Sequence, residues 1–141
     1  MSQDLGKLLA SSKIVAIVGA NEDPNKYGYK ITKQLLELGW EVLPVNPNYQ
    51  TVLGKKAYPT LADLPYPADI TSFVVPPKVT NMILNSSFPK DKVKYLWFQP
   101  WAYDEESLEL ARQLWYEPIY GACVMLEAIK LYKDKISHNE N

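Results

Sequence analysis

The sequence predicts an α/β fold in which helices cover both faces of a parallel sheet. Three observations carry that prediction. Short apolar runs alternate with helix-length segments along the chain. Several runs are apolar on consecutive rather than alternate positions, as strands buried on both faces require. A strand–glycine–helix junction lies near the start, in "IVAIVGANEDPNKYGYK", Ile14 to Lys30. β-α-β alternation implies parallel pairing through crossovers. The expected architecture is a three-layer Rossmann-like sandwich of about five strands in the order 3-2-1-4-5.

Taken in order, residues 1–12 form an N-terminal helix or arm. Lys13–Gly19, Glu41–Val45, Asp69–Val75 and Val93–Phe98 read as strands, with Pro118–Ala122 a weaker fifth. Tyr27, Ile31, Leu35 and Leu38 recur at helical spacing, and Gly39 is placed to end that helix. The loop from Asn46 to Pro67 contains Pro47, Pro59, Pro65 and Pro67, with a short helical turn expected in "TLADLP", Thr60–Pro65. Pro76 or Pro77 opens the next helix, whose buried side would be Val79, Ile83 and Met82. Asp104–Trp115 starts acidic and carries Arg112 late, matching the helix dipole. Leu108, Ala111 and Trp115 supply its apolar stripe, and Pro118 stops it. A last helix runs from about Val124 to Lys135, with Leu126, Ile129 and Tyr132 or Lys133 on its packed side, before a polar tail at 136–141 expected to fray.

A chain of 141 residues fits a single domain. Its net charge of −1 supplies no global field for nucleic acid or an anionic membrane. Any phosphate ligand must then be held by local lysines and backbone amides. The single cysteine, Cys123, excludes an internal disulfide and a thiolate metal cage. No secretion signal opens the chain, and no run approaches the roughly 18 apolar residues of a membrane span. A cytoplasmic domain is the expectation.

In open parallel sheets, ligands bind beyond the carboxyl ends of the strands where strand order reverses. That rule nominates Gly19–Lys26, Asn46–Tyr49, Val75–Lys78 and Gln99–Tyr103. Gly19 ends the first strand without a Cβ, so phosphate oxygens can approach the backbone. The following helix start offers free N–H groups to an anion. Lys26, Lys30 and Lys33 share one helical face, Lys26 nearest the loop and Lys33 on the solvated side. A dinucleotide fingerprint requires further glycines in this loop and an acid at the end of the second strand. Asn21 and Asp23 stand in the loop, and the second run ends in Asn46 and Pro47. NAD is disfavoured on both counts.

The combination of "GANEDP" (Gly19–Pro24), "EVLPVNPNY" (Glu41–Tyr49) and "LGKKAYPTLADLP" (Leu53–Pro65) resembles the small stand-alone CoA-binding domain family. These are relatives of the CoA-binding domain of succinyl-CoA synthetase α subunits. The similarity continues through "VVPPKV" and "YLWFQP" and spans nearly the whole chain. It implies coenzyme A, or an acyl-CoA, lying across the strand ends. Carried over by position, Gly19, Ala20 and Asn21 would meet the pyrophosphate, flanked by Lys26 and Tyr27. Asn46, Pro47 and Tyr49 would sit near the adenosine, Pro76, Pro77 and Lys78 would line the other wall, and Gln99 would join them from the fourth strand. Lys26, Lys30, Lys55 or Lys78 would meet a 3′-phosphate. Three positions depart from the family. Val75 stands where an Arg is usual, Gln99 is followed by Pro100 and Trp101 rather than by Q-x-G, and "YGACVMLEAI" keeps only Cys123 and Glu127 of D-R-C-x-x-x-E-H.

No residues assemble a reaction site, so a non-catalytic binding role is expected. His138 lies in the polar tail. Cys123 has no base beside it and reads as a packed thiol. Asp104, Glu105 and Glu106 form an acidic helix start, and Glu127 reads as helix surface or as support for a site residue. Trp97 reads as core. Trp101 and Tyr103, on a loop near the crevice, would pack, stack on adenine or meet another subunit. Two alternatives stay open: an NAD(P)-binding domain, and a ligand-free interaction module, including a homodimer, that retains the fold.

Overall fold

The computed structural model describes residues 4–139. Helix α1 (Leu5–Ser11) precedes strand β1 (Ile14–Val18), helix α2 (Tyr27–Glu37) and strand β2 (Glu41–Val45). A short hairpin of β3 (Thr51–Val52) and β4 (Lys55–Lys56) leads into a 3₁₀ turn at Leu61–Asp63. Then follow β5 (Ala68–Phe73), α3 (Pro77–Asn85), β6 (Val93–Phe98), α4 (Glu105–Gln113) and α5 (Val124–Asn139). Residues 1–3 of the expected N-terminal arm lie outside the described residues, as do residues 140 and 141 of the expected tail. Within that tail, the helix continues past Lys135 to Asn139. No helix among the described residues is long and apolar enough to cross a membrane.

The sheet is parallel, with the order β2-β1-β5-β6. Val15 and Ile17 point to one face, where Ile31 and Leu35 of α2 and Val124 and Ala128 of α5 complete the core. Ala16 and Val18 point to the other, against Leu84 of α3 and Ala111 of α4. Two buried faces explain why the runs are apolar at consecutive positions.

The α/β class and the helix-covered parallel sheet are as expected, but the strand order corrects 3-2-1-4-5. The third run pairs with β1 instead of extending the sheet beyond β2. The outer edge of β2 is unavailable to it. Pro44 has no N–H to offer a further strand, and its carbonyl already accepts the Tyr58 N–H at 2.9 Å. Asn46 N–H closes the same edge by donating to the Tyr58 carbonyl at 2.9 Å. The fifth strand is reduced to one bridge, Trp97 to Ile119.

Three helix stripes also differ. On α5 the buried positions are Val124 and Ala128, one turn apart, and that register turns Leu126 and Tyr132 outward, 60% and 48% exposed, with Lys133 exposed beside them. Thr80, Asn81 and Leu84 form the buried side of α3, and Met82 is 64% exposed. Trp115 is not part of the α4 stripe. It follows the helix end with φ +69° and is 89% exposed, in the left-handed conformation that commonly closes a helix.

Candidate functional site

The chain runs from β1 outward to β2, then returns past β1 to β5 and β6. Strand order therefore reverses between β1 and β5, and a crevice opens at their carboxyl ends. Gly19 forms its floor. With φ +100°, it is followed by a loop that leads into α2, whose first turn no side chain caps. A Cβ on Gly19 would lie 2.7 Å from Val75 Cγ1 and 3.0 Å from the Val74 carbonyl oxygen. Only glycine fits this junction of β1 with the end of β5.

Side chains tie the first two loops together. Asn46 Nδ2 donates to the Ala20 carbonyl at 2.8 Å, and Tyr49 Oη donates to Asn21 Oδ1 at 3.2 Å. Asn21 and Asn46 each also accept a backbone N–H two residues ahead, from Asp23 and Asn48. These Asx turns hold both loops in one shape. The Glu22 carboxylate accepts the Leu53 N–H, which fixes the β3–β4 hairpin beside them.

Three clefts open along the strand ends. The first, of about 590 Å³, is walled mainly by apolar groups, including Pro47, Leu61, Val75, Val79, Met82 and Ile83. The second, of about 480 Å³, is lined by Asn21, Asn25, Lys26, Tyr27, Pro76 and Trp101. The two share Gly19, Asn46 and Val75. Over the second, Tyr27 and Trp101 pair with ring centroids 5.6 Å apart, 51% and 41% exposed. The third, of about 660 Å³, lies on the hairpin side and shares Pro47, Asn48 and Pro59 with the first.

The expected site residues are not all brought here. Gly19, Asn21, Lys26, Tyr27, Asn46, Pro47 and Pro76 line the first or second cleft, and Tyr49 lines the third. Ala20 is fully buried and contributes its carbonyl to the tie with Asn46. Pro77 and Lys78 occupy the first turn of α3 and line none of the three. Lys30 lies with Nζ 5.3 Å from the centre of the Tyr27 ring. Gln99 is 1% exposed, and its amide is engaged inside. Nε2 donates to Cys123 Sγ at 3.2 Å, and Oε1 accepts the Val124 N–H at 2.9 Å. Both ends of the amide thereby hold the start of α5.

The two aromatic loop residues part company. Trp101 lines the second cleft, whereas Tyr103 is half-buried against the core, stacked on Phe98 and tilted against Tyr120. Trp97 is core, fully buried with its indole N–H donating to the Ala122 carbonyl at 2.8 Å. Asp104 caps α4 in a reciprocal pair with Ser107. Hydrogen bonds from the Asn81 amide and the Ser107 N–H hold its carboxyl below the usual carboxylate range.

Sequence reading missed Val79, Met82 and Ile83 as cleft walls, because helical spacing alone assigns them to the core. It also passed over Gly28. Glycine in the first turn of a helix runs against propensity, and that was the available signal: Gly28 is buried against the Gly19 carbonyl.

These features define an α/β domain whose strand-end crevice joins an uncapped helix start to an apolar chamber. The chain belongs to the CoA binding domain family, which it matches over residues 13–129. It is 26% identical over 125 residues to the uncharacterized protein YneT of Bacillus subtilis, covering 86% of this chain and 89% of that one. It is 39% identical over 71 residues to the acetate–CoA ligase (ADP-forming) II subunit alpha of Pyrococcus furiosus, covering 50% of this chain but 16% of that subunit. A solved conserved hypothetical protein from Pyrococcus furiosus superposes with a TM-score of 0.76 at 43% identity, covering 82% of this chain and 98% of that one.

Proposed function

We propose that the protein binds coenzyme A or an acyl-CoA in the strand-end crevice without transforming it. One observation carries the reading: the uncapped start of α2, with Lys26, lines a cleft that shares Gly19, Asn46 and Val75 with the neighbouring apolar chamber. Backbone N–H groups and the positive end of the α2 dipole suit a pyrophosphate at Gly19, Ala20 and Asn21. Lys26 adds the charge that a chain of net −1 does not supply globally. The adenosine then enters the chamber past Asn46 and Pro47, between the loops of β2 and the wall of α3. The pantetheine arm leaves across Tyr27 and Trp101. Family membership supports the ligand class. The engagement of Cys123 with Gln99, and of Asp104 with Asn81 and Ser107, supports binding without catalysis.

Calorimetric titration of wild type and Lys26→Glu with CoA, NAD and NADP tests this. CoA binds, NAD and NADP do not, and the substitution weakens CoA about tenfold, equivalent to about 1.4 kcal/mol. Binding of NAD in preference to CoA, or indifference to Lys26→Glu, would overturn the assignment.

A further inference from the structure

We propose that Lys56 reads the 3′-phosphate of the bound nucleotide, so that the site selects CoA over dephospho-CoA. This rests on the CoA reading above. Neighbouring clefts share wall residues, the second and first through Gly19, Asn46 and Val75, and the first and third through Pro47, Asn48 and Pro59. With the pyrophosphate at the α2 start and the adenine in the apolar chamber, the ribose lies over Asn46 and Pro47. Its 3′ substituent then meets the rim of the hairpin-side cleft. That cleft is lined by polar groups, among them Asn48, Gln50 and Thr51, and among the described residues its only cation is Lys56. No carboxylate of the described residues lines it to compete for the ammonium.

The other lysines near the strand ends are placed for different tasks. Lys26 lines the second cleft, away from the hairpin, and Lys30, Lys55 and Lys78 line none of the three clefts. Lys56 is carried on a fixed support. Its strand partner Thr51 shares the same cleft, Ala57 N–H donates to the Gln50 carbonyl at 2.9 Å, and neighbouring Val52 is fully buried. Its Nζ lies 5.5 Å from the centre of the Tyr58 ring, which holds the ammonium near the hairpin surface.

Titration of CoA and dephospho-CoA into wild type, Lys56→Ala and Lys55→Ala decides the point. Wild type prefers CoA about tenfold, within the range of a hydrogen bond to a charged group. The preference shrinks as salt rises, because the contact is exposed to screening. Lys56→Ala binds the two ligands alike, having lost affinity for CoA alone, and Lys55→Ala keeps the wild-type preference. Equal binding of both ligands by wild type, or an undiminished preference in Lys56→Ala, would overturn the role of Lys56 while leaving CoA binding intact. Failure of wild type to bind either ligand would overturn the CoA reading, and this proposal with it.

Discussion

A Cβ on Gly28 would stand 2.0 Å from the carbonyl oxygen of Gly19. The first turn of α2 thus presses directly on the end of β1, and this contact sets where the helix start points. At an ordinary helix position, Gly→Ala stabilises by about 1 kcal/mol. Here the obstacle is backbone on both sides, so the sign reverses.

Gly28→Ala is therefore expected to destabilise by about 1–3 kcal/mol, the range for overpacked cores. Thermal unfolding reads this directly. The same variant should weaken CoA, since α2 can accommodate the methyl only by moving its N–H groups away from Gly19. A rise in Tm would show that the helix is free to shift.

Asp69 links stability to pH. Partial burial acts to raise the pKa of its carboxyl, but hydrogen bonds from the Lys13 and Ile14 N–H groups, with Lys94 at 3.6 Å, outweigh it and leave the value lowered. A carboxylate with a depressed native pKa adds stability above its unfolded value of about 3.9, which is lost as pH falls through the lower native value. Wild type should lose stability in that acid window. Asp69→Asn should be less stable at neutral pH and should show a shallower loss there. Parallel acid-unfolding curves for the two proteins would contradict the assignment.

Trp101 sits at the mouth of the second cleft and is 41% exposed, so its removal leaves the core untouched. Trp101→Ala should keep a Tm near that of wild type yet weaken CoA by up to about tenfold, on the scale of an aromatic contact worth roughly 0.5–1.5 kcal/mol. A matched loss of stability and binding would instead mark Trp101 as a structural residue.

Much of this architecture was legible in the residues. Consecutive apolar positions gave a doubly covered sheet, and Gly19 gave the loop at the switch point. The strand order was not legible, because "EVLPV" reads as a strand whichever side it faces. Only the Tyr58 pairing shows that Pro44 turns its missing N–H outward. Met82 and Trp115 both fit helical spacing, but spacing does not say whether a position meets a neighbouring helix, a cleft or solvent. Gln99 sits at the carboxyl end of a strand, where ligand contacts concentrate, yet the start of α5 claims its amide. Pairing across 24 residues leaves no local trace in sequence.

In the proposed complex, CoA lies along the strand ends between the α2 start and the α3 wall. Amide NMR during a CoA titration tests it most directly. Shifts are expected to concentrate at Gly19–Gly28, Asn46–Tyr49 and Val75–Val79, with smaller ones at Lys56 and Trp101, and a quiet amino end of the sheet around Lys13 and Asp69. Shifts centred on that amino end or on the exposed face of α5, or no shifts at saturating CoA, would contradict it.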